Sequence, residues 1–454
     1  IAGFQIPQSF EHLDGISVAE WVNQGFPQGL YDLYFLPFAK SSLNSPDILS
    51  AGELLQFFHF YFFGNPEGLA FSGTKDDMGT GLVQPIVTAI QQQENQIITE
   101  ATVNQINYDQ GKINSLNFQQ GNSQNAVPFW VEKNQLLSNN EVEYYGAGDR
   151  VFIAATNSQE AMSLTCTHQG CTVSKQDDGT FLCPCHGALY NEKGEVLEGP
   201  AKRNLPHYKI EQKNNNSVQL IALNPVTLEK TTTMEADYYV IATDVPGVKQ
   251  LWGLIKGNNN DQIYQKITQQ INQLAVADPF AVARFWFDRD FAWEHSDFSS
   301  LSGYKLTDSI TLYHHIQQQF IDWAKRTGGS VVELHAYCYK ETEFPTQEAL
   351  LTTFEQELLE IVPELVDANC LHRELVNQKN FSGYPPNSYQ QRPETRTEID
   401  NLFLAGDWVK MPFPCGLMER AVSSGLLAAN EILNQEGLQR RTILTVTPEG
   451  LLKI

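Results

Sequence analysis

No run of about 18 apolar residues occurs in this 454-residue chain, so no segment of it reads as a membrane-crossing helix. Basic residues are scarce: 30 Lys and Arg stand against 53 Asp and Glu, a formal charge of −23. Nucleic-acid binding needs a basic footprint for the phosphates, so that class of function is disfavoured. Charged residues make up only 18% of the chain and hydrophobic ones 42%, a balance that suits folded domains. Seven cysteines are too few for a disulfide-stapled scaffold of this length. The opening IAGFQIPQSF has neither the basic start nor the apolar centre of a secretory signal, and it does not begin with Met. The length allows two or three domains of ordinary size.

The few cysteines are not scattered. Cys166, Cys171, Cys183 and Cys185 share one short stretch with His168 and His186, written C-T-H-Q-G-C and C-P-C-H-G. Thiols and imidazoles at this density on two loops point to a metal. Structural zinc loops place two to four residues between paired ligands, whereas Cys166 and His168 are separated by one. The Cys-x-His and Cys-x-x-His spacings instead resemble the Rieske [2Fe-2S] centre, in which two thiolates hold one iron and two imidazoles the other. That resemblance implies the ligands Cys166, His168, Cys183 and His186. It further implies a disulfide between Cys171 and Cys185, of the kind that ties the cluster loops in cytochrome bc- and b6f-type Rieske proteins and that ring-hydroxylating oxygenases usually lack.

The flanks are those of a small all-β module over residues 126–225. Residues 150–155 and 162–165 read as short strands, and Asp177-Asp178-Gly179 as a turn between Val173 and Phe181. Gly199-Pro200 resembles the third, proline-bearing cluster loop. Tyr190 sits where these proteins often place a tyrosine near a cluster sulfur, and Ser163 is a second candidate donor. Ala188 replaces the usual serine, which removes one donor and lowers the potential.

Near the other end, LFLAGDW (402–408) reads as an apolar strand ending in Gly-Asp. A Pro/Gly loop follows, then helical spacing over 417–433 with small residues at Ala421, Ser423, Ser424 and Gly425. This frame suits a dinucleotide. Asp407 can accept hydrogen bonds from ribityl or ribose hydroxyls, and a helix start near 417–419 aims N–H groups and a positive dipole end at an anion. As a string, F-L-A-G-D-W…P…L-M-E-R-A-V-S-S-G resembles the C-terminal signature of the flavin amine oxidase and phytoene desaturase superfamily. The resemblance implies FAD, touched by Gly406, Asp407 and the Met418-Glu419 backbone, with the backbone of Val103 at the adenine edge.

Residues 17–25 and 50–55 resemble the substrate-domain opening of that superfamily. Gly79-Thr-Gly-Leu-Val-Gln-Pro85 leads into an amphipathic helix ending near Gln92, residues 98–106 alternate as a strand, and 236–243 read as the strand returning to the FAD domain. The iron–sulfur module falls between those two strands, so it reads as an insertion. No G-x-G-x-x-G phosphate loop occurs; Gly146-Ala-Gly148 and Gly79-Thr-Gly81 lack the third glycine. An N-terminal truncation, with weakened FAD binding, is the simplest explanation. The expected fold is α/β FAD-binding (Rossmann-like, N-terminal part missing) with an α+β substrate domain and an inserted all-β Rieske domain. Its divisions are 1–125, 126–225 and 226–454.

Aromatic residues crowd two places, Tyr31, Tyr34, Phe35 and Phe38, and the run 57–63. Core packing of one helix explains the run; a tunnel for a long apolar substrate, or a lip touching a bilayer, explains it too. His59 within it reads as a core or rim histidine, and Cys415 as an inert loop thiol near the flavin. Cys338 and Cys370 carry no motif, Glu419 and Arg420 flank the flavin motif, and no proton-transfer residue can be named.

A Rieske insertion together with the ending P-F-P-C-G-L-M-E-R-A most resembles the cyanobacterial carotenoid aromatic-ring synthases. This implies desaturation of a β-ionone ring of a carotenoid with intramolecular methyl migration and no external methyl donor. It also implies hydride removal by FAD, with electrons leaving singly through the cluster to a quinone or soluble carrier. The implied setting is cytoplasmic with peripheral contact at a thylakoid membrane, a contact that the negative charge confines to a local apolar lip. Other readings are a carotenoid desaturase or isomerase, an amine oxidase, or a Rieske electron carrier with a non-functional flavin domain. A Rieske oxygenase would need a two-His-one-carboxylate iron site. Its candidates, His314-His315 with Asp308 or Asp322, are unpersuasive because adjacent histidines on one element should point different ways.

Overall fold

Strand Tyr239–Ile241 lies parallel to Leu402–Leu404, Tyr239 opposite Leu402, so two segments distant in sequence form one small parallel unit. The computed structural model that shows this describes residues 3–63, 73–120, 129–134, 138–139, 141–147, 150–168, 171–176, 178–184, 187–214, 217–222, 231–257 and 261–450. Beside the parallel pair runs a four-stranded sheet in the order Thr232–Met234, Lys112–Gln120, Ala101–Asp109, Ile255–Lys256. The strand expected at 98–106 begins at Ala101 and runs on to Asp109, because Glu100 has a left-handed backbone (φ 56°) that breaks extended pairing. Helices Val245–Gly253 and Gln262–Gln273 cover this region, burying Val248, Trp252, Ile267 and Ile271 against Ile106, Ile241 and Leu404. The first is capped by Asp244, whose carboxylate accepts the Gly247 N–H.

A five-stranded antiparallel sheet forms the second region, in the order Phe298–Ser300, Ser309–Leu312, Ser330–Ala336, Phe280–Phe287, Cys370–Gln378. Strand side chains alternate between faces, and FAVARFWF uses both. Ala281, Ala283, Phe285 and Phe287 join a core closed by Leu350, Phe354 and Leu358 of helix Gln347–Ile361. Trp286, on the opposite face, joins a different core, which it shares with Phe320, Val331, Tyr190, Cys166 and Cys183. Residues of the expected iron–sulfur module and of this five-stranded sheet therefore share one apolar core. Helix Ala51–Phe63 carries the aromatic run, whose Phe58 stacks on Phe38 and packs at a tilt against Phe35. Helix Val18–Val22 starts with a capping box of Ser17 and Glu20.

The module itself is a closed barrel of Phe129–Asn134, Val142–Ala147, Arg150–Ala155, Glu160–Ser163, His207–Lys213 and Ser217–Ala222. A smaller sheet of Ser174–Lys175, Phe181–Leu182, Leu189–Tyr190 and Val196–Glu198 carries the cluster loops. The strand expected at 162–165 is thus Glu160–Ser163, paired with His207–Lys213. On either side of the module, Lys112–Gln120 and Thr232–Met234 are antiparallel neighbours, Phe118 opposite Thr232. The chain leaves and re-enters the same sheet at adjacent strands, which is how an insertion leaves its host intact. No helix among the described residues is long and apolar enough to cross a membrane.

Candidate redox centres

Two hairpins bring the cysteine loops together. Thr165 and Thr172 form a bridge, and the Cys166 N–H donates to the Cys171 carbonyl (2.7 Å). In the second loop the Cys183 N–H donates to the Ala188 carbonyl (2.8 Å) and the Gly187 N–H to the Cys183 carbonyl (2.9 Å). Cys166 and Cys183 are buried and not disulfide-bonded, while His168 is half-buried. Cys171 is disulfide-bonded; Cys185 and His186 lie outside the described residues. Two buried cysteines outside any disulfide, beside an imidazole, offer the sulfur and nitrogen donors that an iron–sulfur cluster of this type takes. The Tyr190 hydroxyl, fully buried, lies 3.2 Å from Cys166 Sγ and accepts the Thr167 N–H at 3.2 Å. Ser163 serves a different purpose: its hydroxyl accepts the Thr165 N–H (3.2 Å) and so braces the first loop.

The flavin motif folds as strand, turn and helix. Gly406 has φ 150°, and a Cβ there would lie 2.4 Å from Trp408 Nε1, so only glycine fits. Its N–H donates to Ser424 Oγ of helix Leu417–Gln435 (2.8 Å), which ties the strand end to the helix. Half-buried Asp407 accepts the Ser382 hydroxyl at Oδ1 (2.7 Å), and its backbone carbonyl accepts the Tyr384 hydroxyl (2.8 Å). One carboxylate edge is thereby oriented from inside the protein. The N-cap is Gly416, and no side chain among the described residues caps the helix there, so its first N–H groups suit an anion. Met418 is 58% exposed and Glu419 is exposed. Leu417 adopts a left-handed backbone (φ 49°), an unfavourable conformation for a bulky residue. Gly416 is pressed against the aromatic helix, where a Cβ would meet the Phe57 ring at 2.6 Å. Val103 is half-buried and lines an apolar groove of about 330 Å³ with Ile241, Ala242, Thr243 and Leu402. Asp407, the helix start and Val103 thus lie around the parallel strand pair, an arrangement that fits an extended dinucleotide.

The sequence reading assigned no role to the group that joins the flavin motif to the aromatic helix. Buried Glu53 pairs with both Arg392 and Arg420 (3.1 Å to Arg420 Nη1), and Tyr384 packs against both guanidiniums. Burial alone would raise the Glu53 carboxyl; the two guanidiniums outweigh it and hold it below the usual range. Glu53, Arg420, Tyr384, Phe57, Gly416 and Leu417 line one small cavity. The only local signal was polarity, a glutamate and an arginine embedded in the apolar strings AGELLQFF and GLMERAV.

His59 is buried, stacks on Phe4 and bonds the Thr447 carbonyl at 2.9 Å. Cys415 is buried, and burial pushes its thiol up to about 12. Asp308 is tied to Lys40 (2.6 Å) and Asp322 to Gln318 (2.9 Å). Neither appears with His314 and His315 in the one grouping of metal-type ligands found among the described residues. The expectation that those histidines diverge fails, because their ring centroids are 4.2 Å apart.

The fold and the two sites define a flavin-dependent oxidoreductase that carries an iron–sulfur domain. Residues 189–433 match the family of flavin containing amine oxidoreductases, and residues 128–209 match the Rieske [2Fe-2S] domain. The chain is 32% identical over 454 residues to a carotenoid phi-ring synthase of Chlorobaculum tepidum, covering 99% of this chain and 69% of that protein. It is 25% identical over 450 residues to a carotenoid phi-ring synthase of Streptomyces griseus, covering 98% of this chain and 64% of that one. A 50-residue stretch is 48% identical to the cytochrome b6-f complex iron-sulfur subunit of Chlorobaculum thiosulfatiphilum, covering 11% of this chain and 28% of the subunit. The chain belongs to the flavin containing amine oxidoreductases and carries a Rieske [2Fe-2S] domain. Its cofactors are FAD and a Rieske [2Fe-2S] cluster.

Proposed function

We propose that this oxidoreductase acts on a carotenoid, desaturating a β-ionone ring with intramolecular migration of a methyl group. The observation that carries the reading is the 32% identity, across nearly the whole chain, to a protein named for making a carotenoid φ-ring. When bound, FAD accepts electrons in pairs and the cluster passes them singly to a quinone or soluble carrier. In this reading Cys166, His168, Cys183 and His186 hold the cluster, and Cys171 and Cys185 tie its loops. Gly406, Asp407, Met418 and Glu419 meet the flavin, with Val103 at its adenine end. Residues 126–225 form the inserted module, between host segments 1–125 and 226–454.

The described side chains support these roles. Ser382 aims the Asp407 carboxylate, and the Glu53 ion group locks helix Leu417–Gln435 to the aromatic helix. Phe57 and Tyr61 pack together above Gly416, giving an apolar, water-excluding wall suited to a hydrocarbon. The apolar core shared by Cys166, Tyr190, Trp286 and Phe320 favours electron exchange between module and substrate domain. Leu30 (40% exposed) and Leu33 (76%) beside the aromatic cluster favour a lip that dips into a membrane surface.

The test is to supply full-length protein with β-carotene and an electron acceptor, alongside a panel of amines. The expected product keeps every carbon of β-carotene, has lost hydrogen, and contains an aromatic ring by NMR. Turnover of an amine with β-carotene untouched overturns the substrate. Under anaerobic conditions, flavin reduced by substrate while the cluster stays oxidised overturns the electron route.

A further inference from the structure

Strand Ser309–Leu312 runs into the one-turn helix Tyr313–Ile316, where His314 and His315 stand next to the loop that follows strand Phe280–Phe287. The loop is fastened to this helix. The Leu312 N–H donates to the Asp297 carbonyl (2.8 Å), and the Asp297 carboxylate lies 2.7 Å from His315 Nδ1. Asp290, on the same loop, places Oδ1 3.1 Å from His314 Nε2. One ligand atom from each of Asp290, His314 and His315 lies within 4.8 Å of the other two.

Each member has the surroundings of a metal ligand. His314 is buried, with its side chain 1% exposed, and its Nδ1 faces the Val331 peptide, 2.9 Å from the carbonyl and 3.2 Å from the N–H. Val331 can therefore serve either tautomer. A cation at Nε2 displaces only the proton shared with Asp290, while Nδ1–H donates to the Val331 carbonyl. Such a bond from the distal ring nitrogen fixes the orientation of metal-bound histidines and raises their basicity. The Asp297 carboxylate does the same for His315. Bonds of about 2.1 Å put neighbouring ligand atoms about 3.0 Å apart in octahedral and about 3.4 Å apart in tetrahedral geometry, a range that includes the Asp290–His314 separation of 3.1 Å. His315 is 36% exposed and can swing to close the set; Asp290 is 57% exposed, which leaves coordination positions open to water.

We propose that Asp290, His314 and His315 bind one divalent transition-metal cation at a site separate from the cluster loops. Two imidazoles and a carboxylate suit zinc or ferrous iron, whereas calcium and magnesium prefer all-oxygen sets. The bound cation cross-links the loop 288–297 to helix Tyr313–Ile316, next to Tyr313 and Val331 at the core shared with the iron–sulfur module. The proposal does not depend on the carotenoid reading.

The experiment uses holoprotein with flavin and cluster in place, dialysed against a chelator and titrated with Zn²⁺ by calorimetry, with metal analysis. A single zinc per chain is expected beyond the cluster iron. Asp290→Asn and His315→Gln should each weaken binding by about tenfold or more, and Asp297→Ala by about tenfold at unchanged stoichiometry. An unchanged cluster EPR signal verifies that each variant is folded. Absence of saturable binding in the parent, or undiminished affinity in the Asp290→Asn/His315→Gln double variant, overturns the proposal.

Discussion

The Tyr190 hydroxyl lies 3.2 Å from Cys166 Sγ, and both groups are buried in one core. Burial, then the bond to the cysteine, pushes the phenol up to about 12, so it remains protonated over any working pH. A donor to a cluster sulfur stabilises the reduced, more negative state and raises the potential. Tyr190→Phe should lower the cluster midpoint by about 50 mV, close to a tenfold change for a one-electron couple. A redox titration followed by EPR reads it; an unmoved midpoint would remove Tyr190 from the electrostatics of the cluster.

Asp407→Ala should strip the flavin, because it removes the carboxylate that the Ser382 hydroxyl orients and that the proposed site uses to hold the ribityl or ribose hydroxyls. Ser382→Ala keeps the carboxylate and loses one hydrogen bond worth about 1 kcal/mol, so FAD affinity should fall by about fivefold. Equilibrium dialysis with FAD distinguishes the two. Equal, severe losses in both variants would mean that Ser382 acts on folding.

Glu53→Gln should destabilise the protein by about 3–5 kcal/mol, since it leaves two buried guanidiniums without their shared anion. The folded carboxyl is held below its ordinary value, so its contribution is present above the unfolded pKa and is lost as pH falls through the folded one. Acid unfolding followed by circular dichroism should therefore begin at higher pH in Arg392→Met than in the parent.

A second carboxylate sets the acid limit of the barrel. Burial would raise Glu143, but Lys133 (2.7 Å), Lys213 (2.5 Å) and the Tyr145 hydroxyl (2.8 Å) bring it down from 4.5 to about 2. The sign follows from a depressed folded value: the stabilisation is complete above pH 4.5 and is lost progressively between 4.5 and about 2. Glu143→Gln should flatten the pH dependence of stability in that window. A variant with the same slope as the parent would contradict the assignment.

The two cofactor sites differ in how far they could be read from the chain. The residues assigned to the cluster occupy two loops within about twenty residues, because a hairpin returns the chain quickly, so their spacing alone points away from a zinc loop. The flavin motif was visible as a strand ending in Gly406-Asp407 before a helix. Ser382, which orients Asp407, lies 25 residues upstream on a different strand and carries no pattern. Strand edges shifted by a few residues where backbone conformation intervened, as at Glu100.

Composition and motif spacing thus sufficed for the class of fold and both cofactors, because each rests on residues close together in sequence. Long-range closure was needed for the rest. Glu53 finds Arg392 and Arg420 across 339 and 367 positions, Trp286 completes the core around Cys166 and Cys183, and His314 meets Asp290, a residue that no reading of the sequence had paired with it, across 24 positions. None of these pairings has a local periodicity. Each is selected by the need to bury charge with a partner and apolar surface against a complement, and that need arises only once the sheets have packed.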